Sequence, residues 1–231
     1  MIIKGFLGTS MIDFPSRISS VVFTGGCNFR CPFCHNPELV INLNKTNDIR
    51  YEELLILLKK RKSFIDGVSI TGGEPLLHTD LIKLLRDIKS LGLKVKIDTN
   101  GSFPDLLGIL IEENLLDYIA MDIKTSFEKY EIAIGMKINL DLIKKSIDMI
   151  MKSEIDYEFR TTIVPGIVVE EDIYYISKHI ENSRLYALQE FRAKKTLNPE
   201  FENLIPYEKE KLYYFKEIAK KYVKRVVIRE E

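Results

Sequence analysis

Three residues, Cys27, Cys31 and Cys34, are the only cysteines of the chain and lie within a stretch of eight residues. Because three is an odd number, they cannot all pair with one another as disulfides. Thiolates are soft ligands that suit iron–sulfur clusters, zinc and copper(I). Their loop opens with Gly25-Gly26, and the spacing Cys-x3-Cys-x2-Cys lets the three sulfurs point inward. The cysteine loop, residues 25–36, is therefore predicted to bind a metal group.

The number of thiolates favours a cluster that reacts with a small molecule. Four-iron clusters usually take four protein ligands, so three cysteines leave one iron open. The alternative is a structural zinc site in which His35 is the fourth ligand. Adjacent ligands at residues 34 and 35 fit one tetrahedral ion awkwardly, and Arg30 and Pro32 mark this segment as a loop rather than a core strand. The loop alone leaves both metals open.

The composition indicates an ordinary folded chain. The 231 residues include 34 basic and 34 acidic side chains, so the formal net charge is zero. Nucleic-acid binding is not expected, because this balance gives no field that attracts phosphates. No membrane partner is expected either, since the apolar run 54–58 is far shorter than the roughly 20 residues that span a bilayer.

The N-terminus lacks the apolar core of a signal peptide, so we expect a cytoplasmic protein. Thiols stay reduced in that compartment, which again indicates a metal rather than disulfides. We expect residues 1–18 to form a short N-terminal preface, resembling a hairpin, to a single domain that spans residues 1–231.

Short β-rich runs alternate with helical patterns along the chain. Strands are predicted over residues 20–24, 68–71, 93–99, 118–123, 157–164, 185–191 and 223–229. Helices are predicted over residues 48–62, 80–91, 104–114, 140–152, 170–180 and 207–222. This alternation implies right-handed βαβ units and a mainly parallel sheet. About six units would form an open sheet or a full or partial barrel, and the pattern does not separate these.

Residues that could do chemistry follow the ends of successive strands. In parallel α/β folds these ends share one rim, where active sites are built. The strand-end residues are Cys27, Thr71-Gly72-Gly73-Glu74-Pro75, Asp98-Thr99-Asn100-Gly101, Asp122-Ile123-Lys124, Arg160 with Pro165-Gly166, and Gln189-Glu190-Phe191-Arg192. The series predicts a single site.

These motifs together resemble the radical S-adenosylmethionine superfamily. Its signature is Cys-x3-Cys-x2-Cys after the first strand, and residues 71–75 resemble its glycine-rich motif. Residues 98–101 and 121–124 resemble motifs of its glycyl-radical-enzyme activating branch. Residues 24–38, with Asp13-Phe14-Pro15 upstream, resemble activating proteins for anaerobic ribonucleoside-triphosphate reductase. The resemblance covers essentially the whole chain.

The resemblance implies an α/β fold, a TIM-like parallel barrel of about six βα units that is left open. It implies that Cys27, Cys31 and Cys34 are catalytic and hold a [4Fe-4S] cluster, whose open iron binds the methionine end of S-adenosylmethionine. One electron, from a donor such as flavodoxin or ferredoxin, would yield a 5′-deoxyadenosyl radical. That radical would take a hydrogen atom from a backbone glycine of a partner enzyme.

The resemblance also places residues around S-adenosylmethionine. Gly72 and Gly73, which lack Cβ atoms, would let the backbone approach the methionine amino group. Phe33 and His35 would lie against the adenine. Asn100 would contact the ribose, although a turn role is an equal alternative.

Charged strand-end residues would complete this site. Asp122 and Lys124 are two apart on a strand and therefore share a face; they suit the charged methionine end, or form a structural ion pair. Asp98 would join them and hold a monovalent cation, and Arg160 would reach the ligand or brace Glu74. The other positions assigned to the cofactor are Cys34, Glu74, Ile123, Thr125, the Pro165-Gly166 turn near the adenine, and Gln189.

The chain departs in two ways from the pattern of the glycyl-radical-enzyme activating branch, and these departures narrow its place within that branch. Gln189 stands where some activating enzymes carry a histidine; it can hydrogen-bond a ribose but cannot titrate. The chain also lacks the cysteines of accessory clusters, which favours a compact form with one cluster. The leading interpretation is an enzyme that installs a glycyl radical on anaerobic ribonucleotide reductase. The alternatives are radical modification of a small molecule such as a nucleobase precursor, and a non-catalytic zinc- or cluster-binding module.

Overall fold

Eight strands form one sheet in chain order. The computed structural model describes residues 1–41, 43–45 and 48–230. Its strands are β1 (Ile3–Ser10), β2 (Ser19–Thr24), β3 (Gly67–Gly72), β4 (Lys94–Thr99), β5 (Tyr118–Asp122), β6 (Asp156–Ile163), β7 (Tyr186–Glu190) and β8 (Val226–Arg229). β1 runs antiparallel to β2, and each later neighbouring pair is parallel. β1 and β8 are the two edges, so the sheet does not close into a barrel.

Helices connect the parallel strands. They are α1 (Pro37–Val40), α2 (Tyr51–Arg61), α3 (Leu81–Ser90), α4 (Pro104–Glu112), α5 (Tyr130–Ile134), α6 (Leu140–Lys152), α7 (Glu170–His179) and α8 (Lys209–Ala219). α3 shows why these segments are helical: Leu81, Leu84, Leu85 and Ile88 recur at helical spacing and are all fully buried.

Alternation along the strands separates the hydrophobic core from a polar interior. In β6, Phe159 and Ile163 join the core that packs under the helices. Arg160 and Thr162, which alternate with them, line a cleft on the opposite face of the sheet. The strands therefore bring polar side chains to one side without exposing the core.

The prediction of an open, parallel α/β sheet is confirmed, with six helical crossovers joining β2 to β8 in the described chain. The preface supplies β1, which pairs with β2 as a hairpin. Its Phe14 is buried against Tyr118 and Ala120, near the start of the parallel strands.

Some elements differ from the prediction. α1 and α5 were not predicted, because four or five residues are too few to show a helical period. α8 and β8 are shorter than the predicted 207–222 and 223–229. Among the described residues, no helix is both long enough and apolar enough to span a bilayer.

Candidate active site

One cleft at the C-terminal ends of the parallel strands gathers most of the predicted site residues. Its cavity volume is about 210 Å³. All three cysteines line it. The other predicted residues that line it are Phe33, His35, Gly72, Gly73, Asp98, Asn100, Asp122, Lys124 and Arg160.

The three thiols are buried enough to favour their protonated forms. Burial raises the pKa of Cys27 to about 11 and that of Cys31 to about 12, and it also raises the pKa of Cys34. At Cys31 the charge of Lys124 partly opposes this effect. A cationic metal group would have to displace these protons on binding, and its own charge would supply the compensation.

The set of metal donors in the cleft distinguishes the two metal groups that the sequence left open. Ligands of one zinc ion all lie about 2.0–2.3 Å from it. Among residues 1–41, 43–45 and 48–230, no three His, Cys, Asp or Glu side chains are close enough to share one metal ion. Three thiolates facing one cleft, with no fourth cysteine in the chain, are the donor chemistry of a cluster with one open iron.

The glycine-rich loop after β3 packs directly on the cysteine loop. Gly73 N–H donates to Thr24 O (2.9 Å), and Glu74 N–H donates to Gly26 O (2.8 Å). A Cβ at residue 73 would lie 1.9 Å from Gly26 O, and Gly72 has a φ of +120°. Besides the predicted approach of a ligand, packing therefore gives a second reason for these glycines: Gly73 abuts the backbone of the cysteine loop, and a Cβ at Gly72 would lie 2.4 Å from Thr24 O at the end of β2.

His78 adds a third connection between the same two loops. Its Nε2 lies 2.8 Å from Gly25 O, within hydrogen-bonding distance. A lone histidine in a sequence gives no signal for such a contact. The position of the cysteine loop therefore depends on residues well outside its own sequence.

Glu74 joins the glycine-rich loop to the end of β4. Its Oε1 accepts hydrogen bonds from Leu76 N–H (3.0 Å) and Thr99 Oγ1 (2.8 Å), and its Oε2 accepts from Asn100 N–H (2.7 Å). Burial raises the pKa of Glu74 to about 7 even though these donors favour the carboxylate. The carboxyl group does not line the cleft, so it braces the loops rather than facing a cofactor.

A network of five charged side chains includes four that form one wall of the cleft and Lys96, which does not line it. Arg160 Nε donates to Asp122 Oδ1 (2.7 Å), and Arg160 Nη1 lies 3.4 Å from Asp98 Oδ2. Lys124 donates to Asp122 Oδ2 (3.0 Å), and Lys96 pairs with Asp98. The expected bracing of Glu74 by Arg160 is thus replaced by pairing with two aspartates. The four that line the cleft, two cations and two carboxylates, balance in charge.

Electrostatics hold this network ionised. Burial opposes ionisation of Asp122, but Arg160 and Lys124 hold its pKa well below the usual range. Arg160 and Lys96 likewise lower the pKa of Asp98 against the effect of burial. Asp98 therefore already has two cationic partners at the position predicted for a monovalent cation. Arg160 and Lys124, the two cations that line the cleft, suit a carboxylate ligand.

Asn100 uses its whole amide inside the protein. Its Nδ2 donates to Asn28 Oδ1 (3.0 Å) and to Cys27 Sγ (3.9 Å). Its Oδ1 accepts from both Ser102 N–H (3.0 Å) and Ser102 Oγ (2.5 Å). Two donors and two acceptors exhaust an asparagine side chain, so the predicted contact with a ribose would have to displace one of these bonds.

Ile123 and Thr125 do not reach the cleft. They alternate with Asp122 and Lys124, so they face the other side of the chain, where they line a small separate pocket. Thr125 Oγ1 donates to Ile167 O (3.1 Å). Their side chains therefore lie away from the site to which they were assigned.

Two further predicted positions lie outside the cleft lining. Gln189 is paired in register with Thr162, which does line the cleft. The Pro165-Gly166 turn follows β6, with Gly166 at a φ of +80°. Thr71 and Thr99, which belong to the predicted strand-end motifs, also line the cleft. Lining residues that the sequence analysis did not name as part of the site are Phe29, Asn36, Val40 and Thr162. Thr162 could have been predicted from the sequence, because it lies two residues after Arg160 on the same strand and therefore faces the same side.

Comparison with known proteins agrees with this geometry. Residues 21–174 match the model of the radical SAM superfamily. The chain is 38% identical over 235 residues to a Methanocaldococcus jannaschii protein provisionally named a glycyl-radical enzyme activating enzyme, covering 99% of this chain and 95% of that protein. It is 32% identical over 185 residues to the pyruvate formate-lyase-activating enzyme of Clostridium pasteurianum, covering 75% of this chain and 74% of that enzyme.

A solved structure shares the fold. Streptococcus suis SuiB bound to S-adenosylmethionine superposes with a TM-score of 0.69 at 16% identity. The match covers 91% of this chain and 50% of that one. At this identity the likeness shows the architecture alone.

Proposed function

The chain belongs to the radical S-adenosylmethionine superfamily, in its family of glycyl-radical enzyme activating enzymes, and we propose that it generates a glycyl radical on anaerobic ribonucleotide reductase. The observation that carries this proposal is the cleft in which three thiols, without a fourth cysteine, face a charged wall. The relatives' names support the glycyl-radical partner.

Cys27, Cys31 and Cys34 would hold a [4Fe-4S] cluster. When bound, the cluster supplies the electron that cleaves S-adenosylmethionine and releases a 5′-deoxyadenosyl radical. Arg160 and Lys124, the two cations that line the cleft, would orient the methionine carboxylate.

Aromatic side chains and the glycine-rich loop would complete the binding of S-adenosylmethionine. Phe33 and His35 line the cleft beside the thiols and would lie against the adenine. His35 is in turn supported by the ring of Phe191, with 5.9 Å between centroids. Gly72 and Gly73 line the cleft from the opposite loop and would present backbone groups to the methionine amino group.

The choice of ribonucleotide reductase as partner rests on sequence. Residues 24–38 and Asp13-Phe14-Pro15 resemble the activating proteins of that enzyme. Phe14 is only 2% exposed and packs against Tyr118 and Ala120 of β5, so this motif supports the resemblance to those activating proteins rather than a docking contact.

A flavodoxin or ferredoxin is the proposed electron donor, and the cytoplasm is the proposed compartment. The same proposal includes a monovalent cation at Asp98 and a single domain over residues 1–231. It includes no nucleic-acid partner and no membrane partner.

Anaerobic reconstitution tests the proposal. The reconstituted protein would be reduced and incubated with S-adenosylmethionine and anaerobic ribonucleotide reductase, while 5′-deoxyadenosine and the electron paramagnetic resonance spectrum are measured. We expect 5′-deoxyadenosine together with a glycyl-radical doublet on the reductase. A reductase with its radical glycine replaced by alanine is the matched control and should give no doublet.

The same measurements separate the alternatives. Cleavage of S-adenosylmethionine without a doublet on the reductase would overturn this choice of partner and would favour another glycyl-radical enzyme or a small-molecule substrate. A colourless protein with one tightly bound zinc and no cleavage would overturn the radical function itself.

A further inference from the structure

The amide of Asn100 has an orientation fixed by its neighbours. Its oxygen accepts two hydrogen bonds from Ser102, at N–H (3.0 Å) and Oγ (2.5 Å), so its NH₂ group must point the other way. Asn28 bonds to both of these residues: its Oδ1 accepts from Asn100 Nδ2, and its Nδ2 donates to Ser102 Oγ (2.9 Å). The backbone N–H of Asn100 is held separately by Glu74 Oε2 (2.7 Å).

This orientation directs one N–H at a cysteine sulfur. Asn100 Nδ2 lies 3.9 Å from Cys27 Sγ, and the Phe29 backbone N–H is a second donor at 3.3 Å. Asn100 is only 6% exposed and Ser102 only 5%, so little water can compete for these bonds. Cys27 therefore receives a donor supplied by the end of β4 in addition to one from its own loop.

We propose that Asn100 raises the reduction potential of the cluster by donating this N–H to the Cys27 sulfur. Hydrogen bonds to the cysteine sulfurs are among the features that set cluster potentials. Reduction adds one electron to the cluster, and an N–H dipole aimed at a sulfur ligand stabilises the more negative state. The bond transfers neither an electron nor a proton, so Asn100 is a positioning residue. The inference rests on the cluster of the proposed function but not on its partner.

The test is a redox titration of the reconstituted protein. Mediator dyes and dithionite as the reductant would set the potential, and the spectrum of the reduced cluster would be followed by electron paramagnetic resonance. In Asn100→Leu, which keeps the size but removes the donor, we expect the reduced-to-oxidised ratio at fixed potential to fall about tenfold. That corresponds to a midpoint more negative by about 59 mV for one electron. Asn139→Leu, the same change at the start of α6, should leave the midpoint unchanged.

A second variant and a second measurement guard against misfolding. Ser102→Ala keeps Asn100 but removes one of the bonds that orient it, so a smaller shift in the same direction is expected. Hyperfine spectroscopy after exchange into D₂O should show an exchangeable proton near the wild-type cluster, in addition to that of Phe29 N–H, and this additional proton should be missing in Asn100→Leu.

An unchanged midpoint in the cluster-loaded variants would overturn the inference. If Asn100→Leu fails to load, Ser102→Ala decides alone, and its unchanged midpoint would have the same meaning. A wild-type protein that forms no cluster would instead refute the proposed function, so the two failures are distinguishable.

Discussion

Gly73 lies against Gly26 with no room for a side chain: a Cβ at residue 73 would stand 1.9 Å from the carbonyl oxygen of Gly26. The obstacle is backbone, which cannot rotate away as a flexible side chain would. The same carbonyl accepts the N–H of Glu74 at 2.8 Å. The glycine-rich loop and the cysteine loop are therefore one packed unit.

Gly73→Ala should separate these two loops. We expect a loss of about 1–3 kcal/mol in the free energy of unfolding, as for other overpacked sites, and less iron per chain after reconstitution. Urea unfolding and iron analysis would measure the two effects. The control is Gly92→Ala, where a Cβ would meet nothing within 4 Å but φ is +80°. That variant should lose stability through backbone strain alone and keep its iron; an equal loss of iron would contradict the packing argument.

Glu74→Gln should flatten the pH dependence of stability. Burial raises the pKa of Glu74 to about 7 from an ordinary value of 4.5. The unfolded chain therefore releases this proton at lower pH than the folded chain, and the free energy of unfolding falls as pH rises from about 4.5 to about 7. The difference between the two pKa values corresponds to about 3 kcal/mol. Between these pH values, the free energy of unfolding of wild type should fall by this amount relative to that of the variant. Denaturant titrations at stepped pH would measure it.

The exposed carboxylate of Glu113 provides the comparison for that experiment. Glu113→Gln removes a carboxylate that pairs with Arg86 at the surface. Its stability should follow the pH profile of wild type. Parallel profiles for wild type and Glu74→Gln would show that the buried carboxyl group does not titrate in this range.

Arg160→Met should destabilise the charged wall of the cleft. The substitution leaves Asp122 and Asp98 partly buried with one cation each. Removing one member of a fully buried ion pair typically costs about 3–5 kcal/mol, so the cost here should lie below that range but above the roughly 1 kcal/mol of a surface pair. Because Arg160 lowers the pKa of Asp122, the stability that this carboxylate contributes is present above its unfolded pKa and is lost as pH falls. Acid unfolding of the variant should therefore begin at higher pH, as followed by circular dichroism.

The matched arginine is Arg86, whose bond to Glu113 at 2.7 Å lies at the surface, with 59% of the Arg86 side chain exposed. Arg86→Met should cost at most about 1 kcal/mol. Equal costs at the two positions would refute the assignment of a partly buried network to Arg160.

Cys27→Ala, Cys31→Ala and Cys34→Ala should each abolish cluster binding and S-adenosylmethionine cleavage. Each removes one of three thiolates, and no other cysteine in the chain can replace it. Iron and sulfide per chain, with 5′-deoxyadenosine release, are the measurements.

His35→Ala should keep its iron but bind S-adenosylmethionine more weakly, because His35 lines the cleft without being a cluster ligand. One zinc per chain that disappears in His35→Ala would instead support the four-ligand zinc site.

The parallel fold could be predicted because its signals are local. The period of Leu81, Leu84, Leu85 and Ile88 defines α3, and similar patterns locate the other long helices and the strands between them. α1 and α5 are too short for such a period. The pairing of β1 with β2 depends on contacts across the turn between them rather than on any pattern within residues 3–10.

The sequence by itself determined the chemistry of the site: three thiols in eight residues, and polar residues after each parallel strand, which must meet at one rim. Only the tertiary structure decided what each residue does there. Local spacing cannot reveal that Gly73 packs against Gly26 or that Glu74 bonds to the end of β4. Nor can it reveal that neighbouring residues take up all the hydrogen bonds of the Asn100 amide. These roles come from contacts between segments tens of residues apart, whose distances and hydrogen-bond directions exist only once the strands are aligned.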